Sequence, residues 1–286
     1  MPADIQPFHD RETGTFSYVV SDPGTRRAAV VDPVLDYDPR SARTGTAGAE
    51  AIAAHVSAQG LQVDWILETH AHADHLSAAP FLQSRLGGRI AIGEGVREVQ
   101  ATFGRILDLD GQFATDGSQF DRLFRDGERF AIGSLEARVL ATPGHTSDSV
   151  TYLVGNAAFI GDTLFAPDYG TARCDFPGGD AQRLFESVQK LYALSPDTLL
   201  HQCHDYPPAG REPRAACTVR EQRASNVMLR ADTTAPDFVA RRRARDATLA
   251  APVLLIPAIQ VNIRAGHLPP PAANGHSYLK IPLNVL

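Results

Sequence analysis

Val63-Asp64-Trp65-Ile66-Leu67-Glu68-Thr69-His70-Ala71-His72-Ala73-Asp74-His75 decides the fold of this 286-residue chain. Val63 to Leu67 has the length and the β-branched and aromatic content of a buried strand. Leu76 to Leu86 reads as a helix. The motif Thr69–His75 therefore falls on a strand-to-helix turn, where side chains converge on one point. Three imidazoles and one carboxylate stand within the six residues from His70 to His75, in a chain with only ten histidines. That density is too high for a polar turn with chance histidines. Imidazole with carboxylate suits zinc or iron, not calcium or magnesium.

Outward from this turn, the chain alternates strands and helices in two halves. Phe16–Val20 and Ala28–Val31 flank an Asp22-Pro23-Gly24 turn, and Asp32-Pro33 ends the second strand. Residues 37 to 48 are small, polar and Gly-containing, which predicts a loop. Ala49 to Gln59 is helical, with Ile52 and Val56 four apart and Gly60 as a stop. Arg89–Ile92 is a short strand, and Gly95 to Phe103 a helix. Residues 104 to 118 have no period. Four short strands follow at 129–132, 135–141, 150–154 and 157–160. Asp180 to Leu194 is amphipathic, with Leu184, Val188 and Leu191 on one face. Thr198–Leu200 is expected to be the last strand. Arg214–Arg230 and Ala235–Leu249 are expected to be helices, with Arg241-Arg242-Arg243 on a solvated face. From Pro252 onward the chain is expected to wrap the surface. Strand pairs followed by helices, twice over, predict a sandwich with two sheets inside and helices outside. No linker divides it, so a single domain over 1–286 is expected, with a C-terminal extension from about residue 231.

Hydrophobic residues make up 43% and charged residues 21%, an ordinary globular balance. A net charge of −6 argues against a nucleic-acid partner. Three cysteines cannot all pair, which fits a reduced compartment. The N-terminus lacks a basic start and an apolar h-region, and no apolar run approaches the roughly 20 residues of a membrane helix. A soluble cytoplasmic protein with no membrane partner is expected.

Three further groups follow apolar strands. Thr142-Pro143-Gly144-His145 presents His145, Ile160-Gly161-Asp162-Thr163 presents Asp162, and His201-Gln202-Cys203-His204-Asp205-Tyr206 presents His204. If these strands belong to the central sheets, the groups gather at one rim. The set His-x-His-x-Asp-His, Pro-Gly-His, Gly-Asp, then His resembles the metallo-β-lactamase superfamily over roughly residues 10–230. The resemblance implies the α/β metallo-β-lactamase fold, an αββα four-layer sandwich. Arg173-Cys174-Asp175-Phe176, after the Asp162 segment, is similar to the Arg-x-Asp-Phe of persulfide dioxygenases. The tail Tyr278-Leu279-Lys280-Ile281-Pro282-Leu283-Asn284 is similar to that of bacterial members.

The superfamily can hold two metals. His70, His72 and His145 would then serve the first and Asp74, His75 and His204 the second, with Asp162 bridging. Resemblance to persulfide dioxygenases implies instead one Fe(II) per chain on His70, His145 and Asp162. His72, Asp74, His75 and His204 would orient those ligands and hold water. Two imidazoles and one carboxylate leave three coordination positions open. The implied reaction takes glutathione persulfide, O2 and water to sulfite and glutathione, in sulfide and persulfide detoxification. The competing expectation is a binuclear hydrolase of glutathione thioesters like glyoxalase II, with zinc as a candidate metal. Glutathione carries two carboxylates, so Arg173 is a candidate anchor. Tyr206 stands where glyoxalase II has a glutathione-contacting tyrosine, and Arg211, Arg214 and Lys280 are further candidates. Cys174 and Cys203 are expected to be buried, inert thiols. Members of this fold often pair, which leaves a homodimer through the Pro-rich C-terminal segment as an open expectation.

Overall fold

A computed structural model describes residues 2–109, 111 and 113–285. Two six-stranded sheets form the centre. The first runs in the order β1 (Asp4–Asp10), β2 (Thr15–Ser21), β3 (Arg27–Val31), β6 (Gln62–Leu67), β8 (Arg89–Gly93) and β9 (Arg122–Phe124). The second runs β10 (Arg129–Ile132), β11 (Leu135–Ala141), β12 (Val150–Val154), β13 (Ala157–Phe159), β14 (Leu199–His201) and β15 (Ala216–Thr218). A small third sheet orders β5 (Arg43–Gly45), β4 (Val34–Asp38) and β7 (Leu76–Ser77). β3, β6, β8 and β9 are parallel, which the helical crossovers α1 (Ala47–Ala58), α2 (Ala79–Leu86) and α3 (Val96–Ile106) make possible.

Strand alternation sorts the side chains into layers. Tyr18, Val20, Val31, Trp65 and Leu67 of the first sheet meet Val139, Tyr152, Val154 and Phe159 of the second. Their neighbours Val19, Val30 and Ile66 point the other way, against Ile52, Val56 and Leu82 of the helices. On the far side, Ala158 and Leu200 pack under α4 (Ala181–Tyr192) and α6 (Ala235–Asp246) through Leu184, Val188 and Phe238. The layers are helix, sheet, sheet, helix, as expected.

Five stretches differ from the sequence expectations. Leu76–Leu86 is not one helix: Leu76 and Ser77 form β7, which pairs with β4, and α2 starts only at Ala79. Residues 37–48 are not a plain loop: the end of β4, all of the three-residue β5 and the start of α1 lie there, each too short a piece to show a period. Asp36 of β4 accepts the Ala47 N–H at 2.8 Å at the start of α1. Thr198–Leu200 is not the last strand, because β15 pairs with β14 beyond it. The expected helix Arg214–Arg230 shrinks to α5 (Val219–Ser225), started by the Thr218–Glu221 capping box. It stops at Asn226, whose Oδ1 accepts the N–H groups of Met228 and Leu229 at 2.9 Å each. The segment after Pro252 is no simple surface wrap, since it contains the buried helix α7 (Leu255–Asn262). Among the described residues, no helix is long and apolar enough to cross a membrane.

Candidate metal centre

β6 ends at Leu67 and leads directly into the motif loop. That loop is held by buried carboxylates. Asp32, just past β3 and at φ 48°, accepts the Thr69 N–H at 2.7 Å and its hydroxyl at 2.9 Å. Asp148 accepts the Ala71 N–H at 2.8 Å. From the C-terminal segment, Asn262 donates to the carbonyls of His72 and His75, each at 2.8 Å, and accepts the Ser77 N–H at 2.9 Å. Helix α7, in the segment expected to wrap the surface, thus pins the loop that carries the motif.

The other groups arrive from the second sheet, at the same rim. His145 follows β11 across Pro143-Gly144. Gly144 has φ +142°, and a Cβ there would collide with the Leu184 backbone. Asp162 follows β13 across Gly161, at φ +50°, where a Cβ would lie 2.6 Å from the Thr69 hydroxyl. His204 follows β14.

The seven expected residues come together. His70 Nε2 and His145 Nε2 lie 3.9 and 3.7 Å from Asp162 Oδ2. His204 Nε2 lies 3.6 Å from Asp162 Oδ1 and 2.9 Å from Asp74 Oδ2. Ligand atoms of His70, His145 and Asp162 all fall within 4.8 Å of one another, and so do those of Asp74, Asp162 and His204. Asp162 is shared by both groups. The His72 ring stands 4.1 Å from each of the His70 and His75 rings.

Each imidazole has one nitrogen tied down. His70 Nδ1 meets the Thr69 hydroxyl at 3.1 Å, and His145 Nδ1 the Arg173 carbonyl at 2.7 Å. His75 Nδ1 meets the Leu76 carbonyl and His204 Nδ1 the Thr15 hydroxyl, both at 3.3 Å. His72 is turned round: its Nε2 meets Asp32 at 3.0 Å and Glu68 at 3.4 Å. The opposite atoms of three rings, His70 Nε2, His72 Nδ1 and His75 Nε2, are buried without a hydrogen-bond partner, as is Asp162 Oδ1, while His204 Nε2 faces Asp74 Oδ2 at 2.9 Å. Buried polar atoms left unpaired are destabilising unless something binds them. One anchored and one free nitrogen per ring is how proteins aim histidine at a metal. These residues fit an iron or zinc ion.

The electrostatics agree. Burial, then the neighbouring His72 and His145, hold the His70 pKa well below its usual value. Burial and His72 pull His75 down to about 3. Both rings therefore keep a lone pair for a cation at neutral pH. Burial also lowers His72, but Asp32 outweighs it and raises that pKa well above the usual value. Burial raises Asp162 against the pull of His204 and His145.

A cavity of about 220 Å3 opens over Asp74, His145 and Asp162. Its walls are Phe165, Tyr169, Tyr206, Phe176 and Arg173, closed by Arg242, Arg245, Leu249 and Pro252 of the C-terminal segment. Tyr206 stacks on His204 at 5.6 Å and 4°. Of the expected substrate anchors, only Arg173 and Tyr206 line this cavity. Arg173 is already saturated: its Nε and Nη2 grip Asp175 at 2.6 and 2.7 Å, and Nη1 donates to the Ala250 carbonyl at 2.6 Å. Arg211 is bound by Asp205 and Asp168, Arg214 by Glu221, and Lys280 by Asp108, all outside the cavity lining. Arg242, expected on a solvated face, is buried against Asp246 and the Thr171 carbonyl. Cys174 and Cys203 are buried thiols, and burial raises both pKa values.

A family model for the metallo-beta-lactamase superfamily matches residues 10–204. The chain belongs to this superfamily. Within it, the chain is 53% identical to a probable metallo-hydrolase of Burkholderia pseudomallei, covering 99% of each. It is 49% identical to glyoxylase B2 of Dictyostelium discoideum, covering 99% of this chain and 98% of that one. It is 31% identical to the mitochondrial persulfide dioxygenase ETHE1 of Homo sapiens, covering 75% of this chain and 71% of that one. Among solved structures, ETHE1 from Myxococcus xanthus superposes with a TM-score of 0.73 at 28% identity, covering 92% of this chain and all of that one. The superfamily membership and the His/Asp cluster together indicate a metal-dependent enzyme.

The buried supports Asp32, Glu68, Asp148 and Asn262 were not identified from sequence. Asp32-Pro33, directly after a buried strand, carried the one usable signal. Asn262, 187 residues from His75, carried none.

Proposed function

We propose that this chain is a mononuclear Fe(II) persulfide dioxygenase, with His70, His145 and Asp162 holding one iron. The observation that carries the proposal is the pairing of that triad, two imidazoles and a carboxylate within 4.8 Å of one another, with the cavity that exposes it. The reaction takes glutathione persulfide, O2 and water to glutathione, sulfite and two protons. Ferrous iron, when bound, supplies the redox chemistry with dioxygen that zinc lacks. The chain's own residues do the rest. His145 is oriented by the Arg173 carbonyl and His70 by Thr69, so neither ring swings when ligands exchange. Tyr206, Tyr169 and Phe165 line the approach with aromatic faces that exclude water from the thiol portion of the substrate. Asp74 at the cavity wall and His204 behind it, 2.9 Å apart, would hold the water by hydrogen bonds. Relatives named persulfide dioxygenase or ETHE1 support this reading over most of the chain.

The second reading is a binuclear glutathione-thioester hydrolase. Its specific observation is the Asp74–His204 group on the other oxygen of Asp162, which provides ligands for a second ion. The relatives named metallo-hydrolase and glyoxylase B2 favour it. Oxygen uptake with glutathione persulfide, matched mole for mole by sulfite, is the test. The first reading predicts that match and negligible thioester hydrolysis. Thioester hydrolysis without oxygen uptake replaces it with the second.

A further inference from the structure

We infer that Arg245 is the residue that selects for a carboxylate-bearing thiol substrate. The inference rests on the reading that the centre acts on an organic thiol derivative, and it holds for persulfide or thioester alike. The cavity volume of about 220 Å3 is many times the roughly 30 Å3 share of one water molecule, so it holds an organic group and not only small inorganic species.

Three guanidinium groups line that cavity: Arg173, Arg242 and Arg245. Arg173 is gripped by Asp175 and Ala250. Arg242 is buried, with Asp246 at 2.7 Å and the Thr171 carbonyl at 3.0 Å. Both are internal struts, and a substrate carboxylate would have to displace a better-placed protein one. Arg245 differs. Among the described residues its guanidinium has no carboxylate partner and no hydrogen bond, and its one recorded contact is the Tyr169 ring, 5.6 Å from the centroid. It sits on α6, one turn from the Arg242 anchor, so its backbone is fixed while its head group is free.

The path from metal to guanidinium is continuous. Tyr206 stacks on His204, Tyr169 lies 5.1 Å from Tyr206, and Arg245 caps Tyr169. A thiol sulfur at the metal and a carboxylate at Arg245 would span an aromatic lane. An unpaired guanidinium at the mouth attracts anions and binds a carboxylate through two parallel hydrogen bonds. The deeper end carries Asp74 and Asp162, which repel that same carboxylate. One orientation of the substrate is thereby favoured, sulfur inward and carboxylate outward.

The test compares wild type with Arg245→Ala and Arg245→Lys, and with Arg243→Ala as an exposed control on the same helix. Glutathione binding is measured by calorimetry on metal-loaded protein, and turnover with glutathione persulfide and with the carboxylate-free cysteamine persulfide. A charged hydrogen-bonding pair lost at a partly exposed site weakens binding about tenfold or more. Arg245→Ala should lose that factor for glutathione and its persulfide and change little with cysteamine persulfide. Arg245→Lys should recover part of the loss, and Arg243→Ala should match wild type. Equal glutathione affinity in wild type and Arg245→Ala overturns the assignment while leaving the function reading intact. Equal losses with both persulfides also overturn it, since a carboxylate-specific contact cannot act on cysteamine. Failure of wild type to bind glutathione, with no turnover of either persulfide, sinks the function reading and this inference with it.

Discussion

At the metal rim each of the five histidines has one ring nitrogen held by a protein oxygen, and three of those rings, His70, His72 and His75, keep the other nitrogen buried and unpaired. Along the cavity wall the arrangement is reversed: two of three arginines are saturated by protein acceptors, and only Arg245 is free. The rim is built to aim several atoms at one point. The wall is built to be rigid, and it leaves recognition to few groups. Density of charged residues is therefore a poor guide to binding. What matters is which polar atoms the fold leaves without a partner.

The sharpest way to break this contrast is at the rim. His145→Ala should remove bound metal and all turnover together, read by metal analysis and oxygen uptake. A variant that keeps stoichiometric iron takes His145 out of the ligand set.

Asn262→Ala tests whether the loop's supports matter as much as its ligands. It leaves the carbonyls of His72 and His75 and the Ser77 N–H short of a partner, which costs about 1–3 kcal/mol. Metal affinity should fall roughly 10–100-fold. Unchanged affinity in a metal competition titration would mean that the loop holds its shape unaided.

His201 sharpens the comparison from inside the second sheet. It is buried between Phe159 and Tyr18, and neither ring nitrogen has a partner. Burial lowers its pKa from 6.5 to about 4. The folded state therefore resists protonation more than the unfolded chain does. Its neutral form is fully stabilising above pH 6.5, and that stability is lost as pH falls from 6.5 towards 4. His201→Phe should flatten this loss by about 2 kcal/mol between pH 7 and pH 5, measured by denaturant unfolding at both pH values. An equal pH slope in both proteins removes His201 as the source.

The smallest effect is expected on the wall. Arg173→Ala should keep iron and raise KM for glutathione persulfide less than about threefold, roughly 0.2–0.6 kcal/mol, within the range for a partly exposed ion pair. A rise larger than that of Arg245→Ala would make Arg173 the anchor and reverse the assignment.

Much of this was legible in the chain. The ligands stand at strand ends, and period-2 runs such as Leu135–Ala141 announce their strands, so the rim follows once the strands are placed. The layers follow from the same runs. What was hidden has physical reasons. β1 carries Pro7 and pairs only with β2, as an edge strand tolerates. β5 and β15 have three residues each, too short for a pattern. α7 carries Pro257 near its start, which resembles loop composition. The partners of Arg173 and Arg242 depend on side-chain fork geometry that spacing does not reveal. Arg242 in particular sits in a run that looks solvated, yet Asp246, four residues on, buries it.

In the proposed mononuclear centre, His70, His145 and Asp162 suffice to hold the iron, with Asp74 and His204 acting beside it. Iron content per chain in wild type and in the double variant Asp74→Ala/His204→Ala tests this most directly. One iron in each protein, with turnover reduced in the variant, is the predicted result. Two metals in wild type, falling to one or none in the variant, would contradict it and establish a binuclear centre.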